Sequence, residues 1–192
     1  MKTAIACVVT AALGLTPTVL LAAPPHVHGV GILQLVLDEN SLSMELHLPA
    51  IDVVGFEHAP SDPQQREAVQ KAVAMLKDAS QLLVLPRDAQ CTAAPAVVSS
   101  ELLPTGHSRP ADTTETEHAD RDADHDHEAG HEHADFDVSY RFDCRRPDLV
   151  EDVTILLFKQ LPKLERLDVD MATPGGQDRQ RLTPEQDSID LP

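Results

Sequence analysis

The sequence predicts an α+β domain: an antiparallel sheet, one long amphipathic helix, and a disordered His/Asp-rich loop inserted between two strands. Three observations predict it. Apolar residues alternate with polar ones in 41–48, 136–144 and 166–172, the period of half-buried strands. A single apolar stripe at helical spacing follows Asp62-Pro63. Residues 104–135 hold almost no apolar side chain and cannot contribute a core.

Taken in chain order, the first element is an export signal. Lys2 precedes an apolar run over residues 4–21, and the small residues Ala22 and Ala23 follow before Pro24-Pro25. A positive start, an apolar centre and a small-residue exit describe a secretory signal peptide. The expected division is therefore a signal at 1–23 and one α+β domain at 24–192, with the 104–135 loop inside it. A membrane anchor is the alternative, but Gly14 and Pro17 interrupt the run and no basic residue stops it.

Residues 31–37 and 41–48 read as a hairpin around the three-residue turn Asp38-Glu39-Asn40. In the second strand Leu42, Met44, Leu46 and Leu48 face inward, and Ser41, Ser43, Glu45 and His47 face water. Asp62 caps the helix, Pro63 opens it, and Val69, Val73, Leu76, Ala79 and Leu83 form its apolar stripe. That stripe should lie across the sheet. Residues 152–156 are strand-like, 157–161 read as a helical turn before Pro162, and 166–172 alternate again. Pro174-Gly175-Gly176 then turns the chain into what reads as a polar tail.

Signal removal takes Cys7 and leaves Cys91 and Cys144, an even pair in an oxidising compartment. Cys144 sits on the buried face of the 136–144 strand. If that strand pairs antiparallel with 89–102 and the two cysteines face each other, facing residue numbers sum to 235. Phe136 then faces Ser99, Val138 faces Val97, and a disulfide is sterically allowed. A thiolate metal pair is the other reading, without the Cys-x-x-Cys spacing of such sites.

The chain carries 15 Lys+Arg against 32 Asp+Glu, a formal charge of −17. That charge excludes nucleic acid and anionic membrane as partners and favours metal cations. The insert sharpens this. Its dense part, 117–135, holds five histidines (His118, His125, His127, His131, His133) and eight carboxylates. Composition of this kind is a metal-binding tract. Imidazole suits Zn, Cu, Ni and Co(II), and a flexible segment gives several exchangeable ions rather than one tight site. Ligation needs neutral imidazole, so affinity should fade as pH falls through about 6.5. His127-Glu128-Ala129-Gly130-His131 matches the zincin pattern, but Gly130 interrupts it and no apolar stripe would dock such a helix. No enzyme is expected.

Outside the insert, a strand would put His26 and His28 on one face, and His58 lies between strand and helix. His47 faces outward from its strand and His107 stands alone; neither joins the candidate set.

His26-x-His28-Gly29, Pro49-Ala50, and Gly55-Phe56-Glu57-His58-Ala59-Pro60 together resemble the zinc-regulated periplasmic ZrgA family. The resemblance continues through both cysteines, the His/Asp insert, Tyr140-x-Phe142-x-Cys144, Leu167-Asp168-Val169 and Gly176-Gln177. Leu161 departs from it, standing where an aromatic is usual before Pro162. The resemblance implies zinc acquisition across the Gram-negative envelope, with His26, His28, His58 and the five tract histidines as Zn(II) ligands. Expected partners are divalent metal ions and, for handover, the binding protein of a zinc ABC importer, with no membrane association after signal cleavage. The alternatives are a periplasmic copper or nickel buffer and a pH-sensing interaction protein with no transport role.

Overall fold

The computed structural model describes residues 27–104 and 134–192. The expected export signal and His26 lie outside the described residues, as do residues 105–133 of the insert and with them His107, His118, His125, His127, His131 and His133.

β1 (Val30–Asp38) and β2 (Ser41–Pro49) form the expected hairpin. The turn is tighter than predicted: Asp38 faces Ser41 across a two-residue loop, with Glu39 in the left-handed region at φ 49°. Pro49 ends β2 and α1 (Ala50–Val53) turns the chain. After a loop, Asp62 accepts the Gln65 N–H at 2.8 Å and caps α2 (Pro63–Lys77).

The remaining elements are α3 (Ala79–Leu82), β3 (Leu83–Val84), β4 (Cys91–Ala93), β5 (Val97–Ser100), β6 (Asp135–Cys144), β7 (Asp152–Ile155), α4 (Leu157–Gln160), β8 (Arg166–Thr173), β9 (Gly176–Leu182) and β10 (Ser188–Asp190). The main sheet runs β4-β6-β2-β1-β8-β9, with β5 beside β4 along the same edge of β6. A second sheet runs β10-β7-β3.

The α+β expectation is therefore corrected: the described chain is mostly β, and its large sheet is mixed rather than antiparallel. β1 and β8 run parallel, Val30 facing Arg166 and Val36 facing Ala172. Glu165 N and Arg166 N both donate to Gly29 O, at 2.8 and 3.0 Å, which sets the start of that ladder. The long amphipathic helix expected to reach Leu83 does not form. α2 stops at Lys77 because Asp78 leaves helical geometry (φ −91°, ψ 83°) and its carboxylate caps α3 through Ser80 N. Only Val69, Ala72 and Leu76 of α2 are buried, and Leu83 belongs to a strand. The expected polar tail is likewise corrected, because β9 and β10 pair with the two sheets and bury Leu182 and Ile189.

One face of the main sheet carries Leu33, Leu35, Leu42, Met44, Leu48, Phe136, Val138, Leu167 and Val169 into a single buried cluster shared with Leu76, Leu82 and Leu157. Gln34, Glu45 and Asp137 are exposed on the other face. Cys91 faces Cys144 as expected, and the two form a disulfide. The expected register holds through Ala93↔Phe142 and then slips by one, so that Val97 faces Ser139 and Val98 faces Val138. The extra residue lies in Ala94-Pro95-Ala96, where Pro95 has no N–H to place in a ladder. A slip of one exchanges the faces: Val98 packs on the core while Val97 is 65% exposed.

Tyr140 sits on the buried face of β6, and its hydroxyl donates to Leu76 O of α2 at 2.7 Å. Burial pushes its phenol well above the ordinary value. A group whose folded pKa is raised contributes stability below its unfolded pKa, here about 10, and that contribution is lost as pH rises above it. Tyr140 is the only tyrosine and the chain has no Trp, so tyrosinate absorbance reads this residue alone. The native protein should show no ionisation midpoint near pH 10. Tyr140→Phe should cost about 1 kcal/mol at neutral pH by removing the hydrogen bond and should flatten the alkaline loss of stability. An ordinary midpoint in the folded protein would contradict this account.

Candidate metal site at the start of the central strand

The first described residues lead into β1 beside the loop that follows α1. Gly29 has φ 77°, a conformation that disfavours any side chain, and a Cβ there would also lie 3.3 Å from Glu165 Cδ. Its N–H donates to Asp52 Oδ2 at 2.7 Å, and Asp52 is buried. Its carbonyl accepts the two N–H groups that open β8. Three segments far apart in sequence are thus tied at one glycine, and His28 is held directly beside that knot.

Gly55, at φ 89°, turns the loop after α1 so that Phe56, Glu57 and His58 follow in a bend. Glu57 reaches back to His28, Nε2 to Oε1 3.1 Å, with the imidazole 59% exposed and the carboxylate 18% exposed. The His58 ring stacks on Phe56 with centroids 5.3 Å apart. His58 Nδ1 lies 3.0 Å from Ala59 O, an acceptor, so that nitrogen carries the proton and Nε2 holds the lone pair. Asp52, Glu57 and Glu165 bring negative charge to the surroundings of His28, a field that favours a cation.

Of the expected ligands, the structure therefore describes His28 and His58, both exposed and both near the same bend. Among the described residues, no three His, Cys, Asp or Glu side chains are placed to share one ion. Sequence reasoning missed Glu57 and Asp52. Glu57 lay in plain view inside the Gly-Phe-Glu-His-Ala-Pro run, but its contact spans 29 residues and no local pattern reports it. Asp52 has no sequence signal, since a buried aspartate bonded to a distant backbone N–H looks like any acidic helix residue.

Imidazole nitrogen and carboxylate oxygen beside one another, on a strongly acidic and mostly β chain, are the donor chemistry of proteins that handle divalent first-row cations. The chain belongs to the ZrgA family of zinc uptake proteins: the family model matches residues 25–191, nearly the whole length. No curated protein matches it. Among the described residues, no helix is long and apolar enough to cross a membrane.

Proposed function

We propose that this is a periplasmic, non-enzymatic protein that captures Zn2+ and assists zinc acquisition across the Gram-negative envelope. The observation that carries this reading is membership of the zinc uptake family over residues 25–191. Residues 1–23 act as a cleaved signal peptide, and 24–192 form one metal-binding domain. Its 104–135 segment collects ions through His118, His125, His127, His131 and His133. The disulfide supports an oxidising compartment.

The mechanism is concentration followed by release. Carboxylates of the acidic chain raise the local cation concentration, and imidazoles replace part of the hydration shell. A second station at His26, His28 and His58, with Glu57 orienting or joining His28, holds an ion more firmly. Several weak sites and one firmer site allow transfer to the binding protein of a zinc ABC importer.

Metal analysis of the protein purified from the periplasm of zinc-starved cells tests the reading. Zinc should be the bound metal, and copper or nickel in its place would sink it. For the firmer station, Glu57→Gln should weaken the tightest zinc event about 10- to 100-fold, the cost of losing a partner that orients a ligating histidine. His28→Gln should weaken it at least as much. Equal affinities in parent and both variants would remove His28 and Glu57 from the site.

A further inference from the structure

Val30 N donates to Val27 O at 3.1 Å, which closes a turn over residues 27–30. The third residue of that turn is Gly29 at φ 77°, the value that marks a type II turn and that glycine takes without strain. His28 is the second. Type I and type II turns differ by a half-rotation of the peptide that joins these two central residues. Such a rotation swings the side chain of His28 relative to β1.

The two peptides that meet at Gly29 are held by different partners. Glu165 N and Arg166 N bond to Gly29 O and fix the peptide after it. The peptide before it, which joins His28 to Gly29, is held by Asp52, whose Oδ2 accepts the Gly29 N–H at 2.7 Å. Asp52 is delivered by α1, itself anchored where Ala50 N donates to Ala134 O at 2.9 Å. Its residue is 7% exposed, and a carboxylate so far out of water needs a donor. An ionised carboxylate can only accept. It therefore favours the peptide as it stands and repels the reversed one, which would turn the His28 carbonyl toward it. The chain then returns with Glu57, whose Oε1 lies 3.1 Å from His28 Nε2. His28 is thus gripped by its backbone and by its ring from one short stretch of chain.

We propose that Asp52 is a positioning residue for zinc capture: by accepting the Gly29 N–H it selects the turn that aims the His28 imidazole toward Glu57 and the ion. Asp52 acts through the His28–Gly29 peptide and does not itself touch the metal. This role rests on the reading of His28 as a zinc ligand, and the experiment separates the two.

Asp52→Asn keeps the shape of the side chain but can donate as well as accept, so it holds either orientation of the peptide and removes the selection. The full mature chain, Asp52→Asn, His28→Gln and the double variant are titrated with Zn2+ by calorimetry at neutral pH, in low and in high salt. The tightest zinc event of Asp52→Asn should be about 10-fold weaker than the parent's at both salt levels, the low end of what outer partners of ligating histidines contribute. In the His28→Gln background the same substitution should change nothing, because its effect passes through His28. Unchanged affinity in Asp52→Asn overturns the proposal. So does a loss confined to low salt, which is charge alone, or an equal loss without His28, which is general damage to the fold. Each of these leaves the wider zinc reading standing. His28→Gln matching the parent overturns the firmer station and this proposal with it, and a parent that binds no zinc overturns the wider reading too. Should Asp52→Asn fail to fold, the parent decides: the tightest zinc event should shift the Gly29 amide resonance in NMR, and an unmoved resonance overturns the proposal.

Discussion

Replacing residues 105–133 with a short Gly/Ser linker is expected to remove most of the zinc bound at saturation and to leave the domain folded. The segment holds six of the ten histidines: His107, His118, His125, His127, His131 and His133. The described residues on either side already close the gap. Ser100 faces Phe136 at the end of the β5–β6 ladder, and Asp135 N donates to Glu101 Oε2 at 2.9 Å. Ala134 is buried, and its carbonyl accepts Ala50 N at 2.9 Å. The cut must therefore fall before Ala134. Removing the whole acidic stretch through Asp135 would take the first residue of β6 and the anchor of α1 with it. Shortening the connection should raise stability slightly, by about 1–2 kcal/mol from loop-closure entropy. Calorimetric stoichiometry and thermal melting check the two halves of the expectation. Undiminished stoichiometry would show that the histidine-rich segment is not where the zinc goes.

The largest effect on stability is expected from the disulfide. Cys91 and Cys144 are separated by 53 residues, a loop whose closure is worth about 4 kcal/mol in the chain-entropy model. That is a large share of the roughly 5–15 kcal/mol that holds a domain together. Cys144 is also buried, 2% exposed, so the bond shields the end of β6 as well as tying it to β4. The double variant Cys91→Ser, Cys144→Ser should unfold at a markedly lower denaturant concentration and with a steeper slope, because the denatured chain without the cross-link exposes more surface. Chemical reduction of the parent should reproduce that shift and leave the double variant unmoved. Identical midpoints for parent and variant would mean that the strands, not the bond, hold this edge.

Much of the strand content was legible because alternation is a local property. Residues 136–144 and 166–172 announce a wet and a dry face, and Leu42, Met44, Leu46 and Leu48 are all buried as read. The cysteine pairing was legible for the same reason, since facing positions on antiparallel strands follow simple arithmetic. Strand direction was not. Alternation is identical for parallel and antiparallel neighbours, so nothing in 166–172 says that β8 runs beside β1 in the same sense. The helix was over-read because its stripe continues past Asp78, whose capping carboxylate ends α2 more strongly than Ala79 and Leu83 extend it. β9 was missed because Gln177, Asp178, Arg179, Gln180 and Arg181 are polar on both faces, as an outer strand permits. At the site, His28 and His58 stood out as residue types. Glu57 and Asp52 did not, because a carboxylate gains its role only from what the fold sets beside it.

The parallel union of β1 with β8 has a consequence for how the protein reaches its working state. Val30 meets Arg166, 136 positions away in the chain, at the middle of the main sheet. Such a fold has high contact order and acquires its native topology slowly, since its central ladder cannot zip until nearly all of the polypeptide has been delivered. A molecule built this way remains threadable while it is being made. That suits a protein proposed to pass through a translocation pore as an extended chain and to complete its architecture only on the far side.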